Sequence, residues 1–176
     1  APDLADNPIP YQMILASSPQ MLSMPELKPN REIDRTARVF HFVGNTSDTL
    51  TLFVPENGCL KVLDPNTDPK SFRSDRYADL WADIIPLSNL SRIEVEAPIA
   101  ANLPAQYFGS VSVDTWCYYY QHAALEQQKE NWTEIIALYE QAEQKGYRPN
   151  RADEWLPLIA AQIKLGQTPT ALSISN

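Results

Sequence analysis

A chain of 176 residues can bury one good core, or a core with a small helical appendage, and its 44% hydrophobic and 10% aromatic content excludes a disordered polymer. The net charge of −8 is thinly spread, −6 over residues 1–115 and −2 over 116–176. That balance, with no run of five like charges, argues against nucleic acid and anionic membrane, both of which need clustered Lys and Arg.

No apolar run approaches the ~18 residues of a membrane-spanning helix, and the opening APDLADNPIP lacks the basic and apolar regions of a signal peptide. The expectation is a soluble chain, or a soluble piece of a longer membrane protein, without membrane insertion of its own. Cys59 and Cys117 form no CxxC motif, and His41 and His122 stand far from zinc-like spacing. Two readings of the cysteines stay open. One is a disulfide, worth about 4 kcal/mol of loop-closure entropy in an oxidising compartment; the other is two separately buried thiols.

Residues 1–30 hold six of the fifteen prolines, which suits an irregular arm over the domain with Tyr11, Ile14, Leu15, Met21 and Leu22 as apolar contacts. Residues 31–113 read as a small α+β domain. Thr36–Val43 and Thr49–Val54 read as a hairpin around Gly44–Asp48, and Cys59–Leu63 as a third strand of one antiparallel sheet. Alternation points Leu50, Leu52, Leu60 and Val62 inward. Phe72–Ile85 has helical spacing and stops at Pro86, and Arg92–Val95 is a further short strand.

Residues 114–176 read as helix, turn, helix, turn, helix. The first helix covers Cys117–Gln128. The second runs from Trp132 to Lys145, capped by Asn131 with Glu134, buried along Ile135, Ile136, Leu138, Tyr139 and Ala142, and stopped by Gly146. A third begins around Asp153, takes Pro157 in or after its first turn, and ends at Leu165–Gly166, where residues 167–176 start a partner helix. Aligned on itself, this region has a register of 36 residues: Tyr119 falls on Trp155, Ala123 on Ile159, Trp132 on Thr168 and Ile135 on Ala171.

With that register, Trp155, Tyr139, Ala142 and Pro149, the region resembles tetratricopeptide repeats over about 55 residues, or one and a half units. It departs from their pattern at Glu126, where an aromatic is usual, at Pro157, and in a turn two residues longer. The resemblance implies a protein-binding surface. The blocks GCLKVLDP, IPLSNLSRI, WCYYYQHAALEQQKENWTEII and EWLPLI are similar to the soluble C-terminal region of large bacterial multi-pass membrane proteins of the protein-mannosyltransferase type. That resemblance implies an extracytoplasmic module of a glycosyltransferase-like protein whose catalytic residues lie elsewhere, and it favours the Cys59–Cys117 disulfide.

Candidate sites are few. Asp64, Asn66, Asp68 and Asp75 have calcium-loop spacing, but Pro69 stands where such a loop needs Gly and Asp75 where it needs Glu, so an Asx turn is the simpler reading. Asp75, Asp79 and Asp83 recur at helical spacing as a solvated face, not as opposed acids across a cleft. His41 and His122 read as structural. The sequons at Asn45, Asn89 and Asn131 are assigned no function. No nucleophile, phosphate-loop or zinc-protease motif occurs, so neither catalytic residue, metal nor cofactor is expected.

The aromatic cluster Trp116, Tyr118, Tyr119, Tyr120 serves packing first; Trp116, Tyr118 and Tyr120 are the candidate partner-binding residues. The expected fold is a small antiparallel sheet with one helix followed by a tetratricopeptide-like hairpin packed on it. The expected role is a non-catalytic interaction module, meeting a protein partner or its own membrane domain. The alternatives are a free-standing adaptor and a small carbohydrate-binding module.

Overall fold

The computed structural model describes residues 28–37, 40–68, 78–93 and 113–175. Four short strands precede the helical region: β1 (Glu32–Ala37), β2 (Phe40–Asn45), β3 (Leu52–Phe53) and β4 (Lys61–Val62). Five α-helices are described: α1 (Ala78–Ile84), α2 (Trp116–Gln128), α3 (Trp132–Gln144), α4 (Leu156–Lys164) and α5 (Thr168–Ser175). The α+β class expected from the sequence holds, with a C-terminal helical hairpin.

The single sheet does not. The strands form two separate two-stranded ladders, β1 with β2 and β3 with β4. β1 and β2 pair antiparallel from Glu32↔Asn45 to Ala37↔Phe40, so Thr36–Val43, read as one strand, spans the end of one and the start of the next. No Gly, Pro, Asn or Asp between Thr36 and Val43 marks the break. The facing of residues 50–63 is also reversed. Thr51 is 8% exposed and Leu52 46%, while Cys59 and Leu63 are buried and Leu60 is exposed. Thr51 is drawn inward because its hydroxyl donates to the Ile84 carbonyl at 3.0 Å and its amide to Ser88 Oγ at 3.2 Å. A strand has period two, so burying one threonine turns every neighbour over.

The chain divides into two compact units, each assembled from two segments. The first comprises residues 1–52 and 62–93; the second, residues 53–61 and 94–176. This division gives the loop Phe53–Lys61 to the helices. In the first unit, α1 leads into a 3-10 turn at Ile85–Leu87, and a second 3-10 turn at Leu90–Arg92 takes in the first residue of the expected strand Arg92–Val95, whose last two residues lie outside the described residues. Residues 1–27, 69–77 and 94–112 lie outside the described residues, and with them the apolar contacts of the N-terminal arm and the start of the Phe72–Ile85 helix.

The helical unit follows the 36-residue register closely. α2 ends at Gln128 and α4 at Lys164; α3 begins at Trp132 and α5 at Thr168. The turns between them match as well. After α2, Glu130 has φ 56°, Asn131 N–H donates to the Glu126 carbonyl at 2.9 Å and Glu130 N–H to that of Gln127 at 3.1 Å. After α4, Gly166 has φ 76°, with Gln167 N–H to the Gln162 carbonyl at 2.7 Å and Gly166 N–H to that of Ile163 at 3.1 Å. Both are the paired bonds of a left-handed C-terminal stop, repeated by Gly146 at the end of α3.

The register differs at one point. The first turn of α2 is α-helical, but its counterpart, Ala152–Trp155, is 3-10. Pro157 is the second residue of α4 and has no N–H for the Asp153 carbonyl, so the α ladder cannot extend back through that bond. Asn131 also differs from expectation. Its side chain does not cap α3 but donates to Glu126 Oε2 at 2.8 Å, locking the α2–α3 turn instead. The core is Trp116, Tyr119, Tyr120 and Ala123 of α2 against Ile135, Leu138, Tyr139 and Ala142 of α3 and Leu158 and Ala161 of α4, with Cys59 from the loop. Ile136 is only partly buried at its edge.

Candidate functional site

Helical geometry sorts the aromatic cluster. Residues 116, 119, 120 and 123 share one face at the i, i+3, i+4, i+7 spacing, and all four are buried. Trp116 is 6% exposed and Tyr120 2%, so two of the three candidate partner-binding residues are core residues. Trp116 meets Tyr139 edge-on at 5.2 Å between ring centroids, an arrangement that favours the edge-positive, face-negative charge distribution of aromatic rings. Tyr118 is set off that face and half-buried. Its ring lies 4.3 Å from the imidazole of His122 and stands edge-on to Tyr119 at 5.3 Å. Of the three, Tyr118 alone presents substantial surface.

Over the start of α2 lies the loop Phe53–Lys61. Cys59 and Cys117 are joined by a disulfide with Cα atoms 5.1 Å apart. The second fastening is Glu154, a carboxylate only 1% exposed. Its Oε1 accepts the Cys59 N–H at 2.9 Å; its Oε2 accepts the Trp116 indole N–H at 2.7 Å and the Asn150 N–H at 2.8 Å. The Tyr139 hydroxyl donates to the Glu154 backbone carbonyl. One side chain thus ties the loop, α2 and the α3–α4 connection together. Three N–H donors offset its loss of water, each a charge-assisted bond.

Gly58 permits the approach. A Cβ there would lie 2.4 Å from Arg151 Cδ and 2.6 Å from Pro55 Cγ. Burial holds the Tyr139 hydroxyl well above the ordinary tyrosine pKa, with the neighbouring Tyr120 and Glu154 adding to the shift against the Leu158 backbone. This chemistry fastens; with both Glu154 oxygens engaged and shielded, it offers no acid or base to solvent. The sequence carried one signal of it, an acid directly before the apolar run Trp155–Ile159.

The remaining candidates resolve into local bonding. Asp64 Oδ1 accepts the Asn66 N–H at 2.8 Å, and Asp68 Oδ2 accepts the Asp64 N–H at 2.8 Å, the self-bonding of an Asx turn. Asp75 and the Asp79 side chain lie outside the described residues; Asp83 is exposed on α1. Among the described residues no group of three or more His, Cys, Asp or Glu could hold a metal ion. His41 bonds Asp34 at 2.8 Å on the exposed face of the hairpin. His122 has its pKa lowered by burial, opposed by Glu126 and reinforced by Lys129.

The surface of the helical unit also carries an apolar stripe. Leu156 and Ile163, seven residues apart on α4, are 50% and 54% exposed, with the half-buried Ile159 and Ala160 between them. Among the described residues no helix is long and apolar enough to cross a membrane. Comparison of the chain with protein-family models, with curated proteins and with solved structures finds no match.

Proposed function

We propose that this chain is a non-catalytic, extracytoplasmic interaction module of a membrane glycosyltransferase-like protein, in which the helical unit meets a protein partner or the membrane part of its own polypeptide. The observation that carries the reading is the disulfide-fastened loop on a pair of helical hairpins. A Cys59–Cys117 bond suits an oxidising compartment, and helical hairpins of this register act through their surfaces. The sequence blocks described above supply the glycosyltransferase setting. Tyr118, on the outer flank of α2, is the residue placed to touch the partner.

Two measurements test it. Alkylation of the protein taken directly from cells should find both thiols blocked until reductant is added; free thiols in the native protein would remove the extracytoplasmic assignment. A photo-crosslinking amino acid at Tyr118 should give an adduct with an integral membrane protein, or an intramolecular one with an upstream membrane region. A second reading, a free-standing adaptor for a protein tail, draws on the Leu156–Ile163 stripe. It predicts crosslinks from position 163 to a soluble partner and none from 118.

A further inference from the structure

The first unit contains an open pocket of about 360 Å³, at the small end of the ~300–1,000 Å³ range of ligand sites, lined by turns from four parts of the chain. Its walls are fixed from behind. The Thr46 hydroxyl donates to the Lys28 carbonyl at 2.6 Å and accepts the Arg31 N–H at 2.8 Å, which holds the turn at 28–31. The Asn89 amide donates through Nδ2 to the Ser47 carbonyl at 2.8 Å, and its backbone N–H to the Thr49 carbonyl at 2.7 Å. The Asx turn at Asp64–Asp68 fixes the third wall, and Asn30 is held at φ 55° beside the first.

The rim differs from the walls. Among the described residues the side chains of Asn30, Ser47 and Asn66 have no hydrogen-bond partner in the protein, although each lines the cavity. Two carboxamides and a hydroxyl are therefore mounted on braced backbone with their donors and acceptors uncommitted, and the prolines Pro65 and Pro86 supply ring C–H surface between them. Among the described residues that line it, none is charged. Both Asp64 oxygens are spent on the Asx turn, and Asp68 Oδ2 accepts the Asp64 N–H. Among these lining residues an anion finds no cation and a metal no carboxylate, and an apolar ligand would strip water from three polar groups for nothing in return.

We infer that this cavity binds a neutral, hydroxyl-rich ligand, a sugar ring, between the Asn30, Ser47 and Asn66 side chains and the Pro65 and Pro86 rings. A hydroxyl both donates and accepts, as a carboxamide does, so uncharged mixed donors and acceptors match it group for group. The inference rests on the lining alone and does not depend on the partner assigned to the helical unit. Among the described lining residues there is no aromatic ring to stack on, and the expected affinity is in the millimolar range usual for a few exposed hydrogen bonds.

The test is an NMR titration of the whole chain with methyl α-mannoside, N-acetylglucosamine and maltose. The expected result is saturable shifts in the amides of Asn30, Ser47 and Asn66 with at least one of the three sugars. The double substitution Ser47→Ala with Asn66→Ala should weaken binding about tenfold at an unchanged melting temperature, because the backbone N–H groups, not these side chains, make the turn bonds. Should that variant melt early, Asn30→Gly, which removes the carboxamide and suits the positive φ of that position, should weaken binding in its place. Absence of saturable shifts with all three sugars, sugar binding by these variants equal to the original, or stronger effects on the same amides from inorganic phosphate or calcium chloride would overturn the inference.

Discussion

At Glu154, two oxygens receive three N–H donors, and an amide in its place could satisfy them only in part. Glu154→Gln keeps the volume but turns an NH2 toward either the Cys59 amide or the Trp116 and Asn150 donors. It should cost about 1–3 kcal/mol in urea unfolding, the penalty of a buried donor left unmet. The Tyr139 hydroxyl gives a pH-dependent counterpart. Burial raises its pKa in the fold, so the unfolded chain ionises first. The stability it contributes is whole below the ordinary tyrosine pKa of ~10 and is lost as pH rises past it, at about 1.4 kcal/mol per pH unit. Tyr139→Phe should be less stable than the original by about 1 kcal/mol at neutral pH, and the two denaturation curves should converge above pH ~10. A difference that stays constant with pH would show that the hydroxyl does not resist ionisation. The sequence shows Tyr139 as an apolar stripe residue; it does not show that its hydroxyl meets a backbone carbonyl fifteen positions away, because that bond exists only once two helices have packed.

The helices were legible because their signals are local. Apolar spacing, the Gly146 and Gly166 stops and the self-alignment at 36 residues together put both ends of α2 and α3 and the end of α4 within a residue or two of where they lie, while α4 starts three residues after the expected Asp153. The strands were not. Their facing is set by Thr51 reaching Ile84 and Ser88, partners more than thirty positions distant. The repeat alignment also isolates a local cost: Glu130 holds the left-handed conformation that glycine holds at its counterpart, Gly166. Among the described residues the Glu130 side chain makes no ion pair, so Glu130→Gly should stabilise the protein by about 1 kcal/mol, read as a raised melting temperature. Gly58 predicts the opposite sign. Gly58→Ala should lose about 1–3 kcal/mol, because the new methyl meets the Pro55 ring and the Arg151 stem inside the fastening.

For the molecule as a whole, the disulfide bridges a sequence separation of 58 residues. On the chain-entropy account this constrains the unfolded chain by about 4 kcal/mol. Reduction, or Cys59→Ser with Cys117→Ser, should therefore lower the denaturant midpoint markedly; a shift worth under 1 kcal/mol would show that Glu154 and core packing fasten the loop alone. The sequence left the pairing open between a disulfide and two thiols, since cysteines so far apart meet only through tertiary structure. That the loop belongs with the helices has a bearing on how the protein comes into being. Synthesis runs from the N-terminus, so Cys59 arrives 58 positions ahead of the thiol it must bond and Gly58 and Cys59 well before the glutamate that will hold them. During that interval the loop is an open chain end waiting for its mate. A cell making this protein must keep Cys59 from being oxidised into a disulfide with another cysteine until Cys117 appears, and no excised stretch of consecutive residues beginning after Lys61 would inherit the completed helical unit.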